Sequence, residues 1–385
     1  MRCELSDICV YRNERISTNA LNSHTYVSTE NMLPDKGGIT DAASLPTVSQ
    51  TSKFRYGDTL VSNIRPYFKK IWFAEYDGGC SNDVLVFSAK EGVDPKYLYY
   101  VLANDSFFAY STATSKGTKM PRGDKTSIMQ YQIEKVDSPT QKKIAAILSA
   151  LDEKIAINRA INDNLEQQAQ TIFKSWFVDF EPFDGKLPST WRSEKLGDVC
   201  NCVLGGTPSR AKPEYWNGTI PWINSGEVNK FRIIKPSETI TDLGLSKSAT
   251  KLLPAKTTVI AITGATLGQV SLLEIDACAN QSVVGIIPNS KYPYEYIYPL
   301  IIENINQLTS HQTGGAQQHI NKQNVESLDI LVPAASDLDK YRSTVCGLYE
   351  MITNNCFENE RLETIRDSLL PRLMSGEIDV LKIDL

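Results

Sequence analysis

A chain of 385 residues, 41% of them hydrophobic, has material for two or three domains with cores of their own. Its net charge of −5 excludes a uniformly polybasic nucleic-acid binder. No apolar run reaches the roughly 18 residues needed to span a bilayer, and the opening residues Met1–Asp7 lack a signal-peptide core, so a cytoplasmic location is expected. Eight cysteines without a Cys-x-x-Cys pair, and only His24, His311 and His319 beside them, give no zinc pattern. No metal is expected, and the thiols should be reduced and mostly buried.

In chain order, residues 1–139 balance their charges. Within 54–88 apolar stretches alternate with turns such as Phe54-Arg55-Tyr56-Gly57-Asp58 and Asp77-Gly78-Gly79, Val84–Phe87 reads as a buried strand, and a short helix is expected over 95–110. Residues 140–178 then place Ile144, Leu148, Leu151, Ile155, Asn158, Asn162, Leu165, Ala169, Ile172 and Trp176 on a 4-3-4-3 seam with no glycine or proline, the pattern of a coiled-coil helix. Ser138 is the expected N-cap, with Pro139 and Gln141 in the first turn. After a linker, 179–195, residues 196–336 return to the mixed pattern: turns at Pro254-Ala255-Lys256 and Thr263-Gly264-Ala265, a buried strand at Val283–Ile287, a short helix over 293–308. Residues 337–374 form a second seam, Tyr341, Val345, Leu348, Ile352, Asn355, Asn359, Leu362, Arg366, Leu369 and Leu373, capped by Ser336 with Asp337 and Asp339 in the first turn. Pro371 should disturb only the last turn, and 375–385 is a tail. The helical segments are acidic: 140–185 carry −2 and 337–385 carry −4, against 0 for 1–139 and +1 for 186–336. If the chain binds nucleic acid, the mixed segments are the better candidates.

The second half repeats the first. Leu5–Cys9 recurs as Leu196–Cys200. Thr59, Val61, Ile64, Cys80 and Gly117 recur 198 positions later as Thr257, Val259, Ile262, Cys278 and Gly315, and the helical seams coincide on a shift of 197. A helix of some 38 residues is roughly 57 Å long, with the asparagines near its middle. In a parallel pair Asn158 faces Asn355; in an antiparallel pair Asn158 faces Asn359 and Asn162 faces Asn355. Both satisfy the amides. The intervening domain and a pseudo-twofold axis favour the antiparallel form, its register fixed by Asn158, Asn162, Asn355 and Asn359.

Three segments resemble a known family. Arg361-Leu362-Glu363-Thr364-Ile365-Arg366-Asp367-Ser368-Leu369-Leu370-Pro371-Arg372-Leu373 looks like the C-terminal conserved helix of type I restriction-modification specificity subunits. Gln170-Thr171-Ile172-Phe173-Lys174-Ser175-Trp176-Phe177 resembles their central one. Gly206-Thr207-Pro208-Ser209, with Tyr215-Trp216-Asn217-Gly218 and Ile220-Pro221-Trp222, is similar to the opening of their target-recognition domains; the first domain lacks it and carries Gly117-Thr118-Lys119-Met120-Pro121-Arg122-Gly123 instead. The resemblance implies a mixed α/β (α+β) fold, with two pseudo-repeated globular target-recognition domains separated by a long antiparallel two-helix coiled coil. It implies a bipartite double-stranded DNA target, one half per domain. Two modification (methyltransferase) subunits and ATP-dependent restriction subunits would be partners. S-adenosylmethionine, ATP and Mg2+ would belong to those partners, with no cofactor in this chain and no membrane contact.

Reading duplex DNA takes base-edge donors and acceptors on a scaffold anchored to phosphates. The candidates in the first domain are Asn63, Arg65, Tyr67, Lys69 and Lys70, with Lys116, Lys119, Arg122 and Lys125 on one loop. In the second they are Thr207, Ser209, Arg210, Asn224, Ser225, Thr263 and Thr266, with Gln317, Gln318 and Asn321 in the run Gln317-Gln318-His319-Ile320-Asn321-Lys322. Trp216 and Trp222 read as core. A self-contained DNA enzyme is disfavoured: there is no Asn/Asp-Pro-Pro-aromatic methyltransferase motif, no nuclease constellation of Asp with Glu-x-Lys, and Gly205-Gly206-Thr207-Pro208 lacks the Lys-Ser/Thr of a phosphate loop. No catalytic residue is expected. A coiled-coil scaffold that never touches DNA is the other alternative, and it differs in having no salt-dependent DNA affinity.

Overall fold

β-branched and aromatic runs pair into short strands, and most of these pairings recur in both halves of the chain. A computed structural model describes residues 2–310 and 319–382. The chain divides into two units, Met1–Ile155 with Arg361–Leu385, and Ala156–Glu360. The long helices, Ser138–Phe177 and Ala335–Met374, each contribute one part to each unit.

In the first unit a four-stranded sheet runs in the order Cys9–Tyr11, Val84–Ala89, Thr59–Ser62, Ile71–Phe73. In the second unit its counterpart is Asn201–Leu204, Val283–Ile287, Thr258–Ala261, Val270–Leu273, with Arg232–Ile233 added in parallel at the edge. A second sheet contains Gln50–Phe54, Gly78–Cys80 and Tyr26–Val27, matched by Leu252–Leu253, Ala277–Ala279 and Trp216–Ile223. Its fourth strand joins at opposite edges in the two units: Arg15–Ser17 beside Gln50–Phe54, but Glu238–Ile240 beside Trp216–Ile223. Each lobe is closed by pairing its first strand with its last, Arg2–Glu4 with Gln132–Glu134 and Arg192–Lys195 with Asp329–Val332.

Strand register corrects the internal repeat. Thr59 faces Phe87 and Thr258 faces Ile286, so counterparts within the sheets stand 199 apart, not 198, and Cys80 corresponds to Ala279 rather than Cys278. A slip of one residue would turn every side chain to the other face. The consecutive threonines Thr257 and Thr258 allow a sequence match at either offset.

The helices pack on their lobes partly through the seams (Ile144, Leu148, Ala169, Tyr341, Val345 and Leu373) and partly through the adjoining positions Phe173, Phe177 and Leu370. In the first unit Ile144, Leu148, Leu370 and Leu373 share a core with Leu5, Val61, Phe87 and Phe107; in the second, Ala169, Phe173, Phe177, Tyr341 and Val345 join Ile260, Leu272, Ile286 and Tyr296. The caps differ from expectation. Asp137, not Ser138, accepts the Thr140 N–H (3.0 Å), since a carboxylate one residue earlier already satisfies the first turn. The second long helix begins before Ser336, at Ala335, with the Ala334 carbonyl taking the Asp337 and Leu338 amides (3.0 and 3.1 Å). The helix expected over 95–110 is two, Pro95–Ala103 and Asp105–Ala113, because the Asn104 side chain caps the second by accepting from Ser106. Trp222 is core and Trp216 is half-buried. The eight cysteines are unpaired, six of them buried. No described helix is long and apolar enough to cross a membrane.

Within the second unit the four asparagines meet in the antiparallel pairing. Asn158 Nδ2 donates to Asn359 Oδ1 (2.9 Å) and Glu358 Oε2 (2.7 Å). Asn355 Nδ2 donates to Asn162 Oδ1 (2.9 Å), and Asn162 Nδ2 to Cys356 Sγ (3.4 Å). Asn158 Oδ1 is buried with no partner among the described residues, a desolvation cost that leucine would not carry. The lobe of this unit is fastened to the helices by buried charge. Arg232, on the edge strand, bonds Glu166 of the first long helix (2.6 Å) and Tyr298 (3.0 Å), and its Nε lies 3.5 Å from Glu274. Glu274 also meets Lys256, which donates to Thr353 of the second long helix (2.8 Å). In the first unit Asp152 does this work, accepting from Tyr100 (2.6 Å) and Arg366 (2.8 Å).

Replacing all four asparagines by leucine is expected to raise stability by about 1–3 kcal/mol, the desolvation recovered, and to loosen the helix register. A thermal unfolding midpoint below that of the parent chain would contradict this account.

Candidate nucleic-acid interface

In the first unit the strand Thr59–Ser62 returns to Ile71–Phe73 through a 3-10 turn, Pro66–Phe68. The turn is clamped at its base, where Ser62 N–H donates to the Lys70 carbonyl (3.0 Å). Arg65 and Lys69 flank it, both left-handed at φ 50°. The loop carrying Lys116 to Arg122 lies against it: Arg65 N–H donates to the Pro121 carbonyl (2.8 Å) and Gly123 N–H to the Asn63 carbonyl (3.1 Å), while Lys116 and Arg122 exchange both backbone bonds (2.8 and 2.9 Å). The two sets of candidates, far apart in sequence, therefore form one cluster.

The side chains sort by what they already hold. Arg122 is exposed and pairs with Asp83 (3.0 Å), and exposed Lys116 pairs with Asp124. Lys119 is exposed, Lys125 lies 6.0 Å over the Tyr11 ring, and Tyr67 stands at the turn tip. Lys69 shares Asp105 with Lys36 (3.0 and 2.9 Å). Burial opposes the Asp105 charge, but the two lysines hold its carboxyl below its usual range. Lys36, Asp83 and Asp105 carry no signal in sequence; only the fold brings them here. Two expectations need correcting. Asn63 is buried beneath the loop, where a Cβ on Gly123 would approach its Oδ1 to 2.7 Å, so its amide faces the protein. Lys70 turns inward to donate to the Thr29 carbonyl (2.7 Å), and burial lowers its pKa.

In the second unit the corresponding end of the sheet gathers Thr263, Thr266, His319 and Thr207. Thr263 bridges His319, Ile320 N–H donates to the Ile262 carbonyl (3.0 Å), and Thr266 Oγ1 donates to the Thr263 carbonyl (3.3 Å). Thr207 donates to exposed Gln281, a residue that the polar run at 317–321 overshadowed in sequence. Both glycines before Thr207 sit against backbone: a Cβ on Gly205 would approach the Asn280 carbonyl to 2.1 Å and one on Gly206 the Thr250 nitrogen to 2.6 Å. Arg210 is already engaged: it stacks on Trp216 (3.6 Å to the ring centre) and forms a double ion pair with Glu238. The Ser209 carbonyl accepts from Trp216 Nε1–H (3.2 Å), and Asn224 caps the short turn containing Ser225 by accepting from Gly226 (2.8 Å). Asn321 is a third correction. It forms a reciprocal capping box with Asn324 (both 2.9 Å), so its Oδ1 serves the helix Lys322–Glu326. Gln317 and Gln318 lie outside the described residues.

Each unit thus presents, at one end of an equivalent sheet, a loop cluster able to meet phosphates and base edges, rich in cations in the first unit and in hydroxyl and amide groups in the second. The family model described as the type I restriction modification DNA specificity domain matches residues 2–167 and again 188–340. The chain belongs to this family. Among its relatives is the type I restriction enzyme HindI specificity subunit of Haemophilus influenzae, 25% identical, covering 97% of this chain and 98% of that one. The type I restriction enzyme MjaIX specificity subunit of Methanocaldococcus jannaschii is 28% identical over 76% of this chain and 71% of its own. The crystal structure of a type I restriction-modification S subunit from M. genitalium matches 97% of this chain and 96% of that one with a TM-score of 0.59 at 15% identity, a likeness of fold. The helical signatures read in sequence led to the same family.

The Asp124 carboxyl, bonded by the Lys116 side chain and the Ser127 backbone, is held down to about 2. A depressed native pKa contributes stability that is present above the unfolded value of about 4 and is lost as pH falls through the folded one. The loop should therefore stay closed at neutral pH and open between about pH 4 and 2, followed by the Lys116 and Arg122 amide resonances. Asp124→Asn should open it at neutral pH; unchanged resonances would deny the carboxylate this role.

Proposed function

We propose that this chain is the non-catalytic, DNA-reading subunit of a type I restriction-modification complex. Each lobe binds one half of a bipartite duplex target. The long helices set the interval between the halves and dock two modification subunits. The observation that carries this reading is the doubled family match, lying on two lobes that build the same loop cluster from different side chains. Cations dominate the first cluster (Arg122, Lys116, Lys119), and threonine and glutamine hydrogen-bonding groups the second (Thr207, Thr263, Gln281). One scaffold with two chemistries suits two different half-sites. In this reading the modification subunits methylate adenine with S-adenosylmethionine, and restriction subunits bring ATP and Mg2+. With a net charge of −5, the chain alone grips phosphates modestly, and its DNA affinity falls as salt rises.

Exposed apolar side chains on the helices support the docking role. Ile157 and Ile161, one turn apart, are 55% and 39% exposed, and Met351 is 50% exposed. A monomeric helix pair would place polar residues there. Ile157→Asp with Ile161→Asp should cut recovery of modification subunits with the tagged chain about tenfold, equivalent to about 1.4 kcal/mol, without lowering the thermal midpoint. Undiminished recovery would remove this face from the interface.

Mapping methylated adenines in the host genome tests the whole reading. Two short motifs with a constant gap of arbitrary sequence are expected; a continuous motif would overturn it. Arg122→Ala should relax base choice in one half only, and equal loss in both would count against one lobe per half. Inserting one helical turn, ~5.4 Å, should lengthen the gap by about one or two base pairs at about 3.4 Å each.

A further inference from the structure

The turn Pro66–Phe68 and its counterpart in the second lobe, Gly264–Thr266, are built alike and filled differently. Both ends of the two turns superpose on the 199 offset: Ser62 N–H bonds the Lys70 carbonyl as Ala261 N–H bonds that of Gln269 (3.0 and 2.9 Å), and Phe68 N–H bonds the Arg65 carbonyl as Leu267 N–H bonds that of Gly264 (2.9 and 3.1 Å). Two positions in each turn are left-handed. In the second lobe both are glycine, Gly264 (φ 67°) and Gly268 (φ 84°); in the first they are Arg65 and Lys69, both at φ 50°. Glycine takes this conformation freely and other residues take it at a steric cost. The first lobe therefore keeps two cations where the fold itself would favour glycine, and strain of this kind marks positions with a use beyond the fold.

Between those cations the tip is aromatic. Tyr67 and Phe68 are 47% and 38% exposed, their rings 4.8 Å apart. The matching residues are Thr266 and Leu267, and Leu267 packs on the core of its unit. The first turn is also braced from behind. The carbonyls of Phe68 and Lys69 accept from the Asp35 and Lys36 amides (2.8 and 2.9 Å), and Asp105 ties Lys69 to Lys36. Arg65 Nε is a buried donor with no partner among the described residues. A stiff turn that exposes two aromatic rings between two cations has the chemistry of a DNA wedge, with apolar side chains for a base step and cations for the phosphates beside it.

We infer that the Arg65–Lys69 turn inserts Tyr67 and Phe68 into the base stack at one step of the half-site read by the first lobe, Arg65 and Lys69 holding the flanking phosphates. The second lobe reads its half without such a wedge. This rests on the DNA-reading function proposed above.

The test uses the full chain with its modification subunits and duplexes carrying the methylation-mapped target, with a single abasic site walked through both halves. A gap at the wedge step removes the unstacking cost, so the parent complex should bind that duplex about tenfold tighter than intact DNA, at one position in the half whose reading Arg122→Ala relaxes. Tyr67→Ala with Phe68→Ala should abolish that gain and leave every effect in the other half unchanged. Arg65→Gly with Lys69→Gly should raise the thermal midpoint while weakening binding to intact DNA. A gain that survives the aromatic double variant, or the absence of any such position in a complex that does bind, would overturn the wedge and leave the DNA-reading function standing. Tighter binding by the glycine variant would overturn the cation grip. Failure to bind the intact target would overturn both readings.

Discussion

Amides inside a helix pair must find one another or stay unsatisfied, and in this antiparallel pair that requirement fixes the register. Asn158 with Asn359, and Asn162 with Asn355, are crosswise matches that a parallel arrangement would not make. A leucine seam would bury equally well in several registers of an antiparallel pair; the four amides bond in one of them. Part of the cost is visible at Asn158, whose oxygen is left without a partner among the described residues. Stability is given up for a single register of the helices within this unit.

The attachment of lobe to helix follows a related logic. In the second unit Arg232 lies among Glu166, Glu274 and Tyr298, and the buried charges are mutually compensated. Such a network adds little net stability over apolar packing but is costly to break at one member. It resists rotation of the strands against the helix in a way that a greasy contact would not. The first unit reaches the same end with Tyr100, Asp152 and Arg366, so the solution is shared although the residues are not.

The sequence made the large features readable because they are periodic or duplicated. The 4-3 seam from Ile144 to Trp176 is a local pattern that tertiary contacts reinforce, and the repeat gave two lobes of one design. What escaped was set at finer grain or at longer range. One residue of register was hidden by the pair Thr257–Thr258. The meeting of Lys36 and Lys69 at Asp105 depends on a fold that joins segments far apart. Asn321 shows a different kind of miss. Asn321-Lys322-Gln323-Asn324 is a readable capping pattern, but its polar side chains suited a base-reading role equally well, and only the reciprocal bonds decide what its oxygen does. Asn63 failed for a simpler reason, since whether a polar side chain points out or in is not written in its neighbours.

The closing ribbon of each lobe has a consequence for how such a chain can vary. Arg2–Glu4 lies against Gln132–Glu134, and Arg192–Lys195 against Asp329–Val332, so the points where the backbone enters and leaves a lobe are neighbours about 4.8 Å apart. An incoming lobe of quite different surface has only to match that narrow seam and the helix start that follows. Each lobe is in this sense a cassette, and a new binding preference on one side can be installed without renegotiating the other.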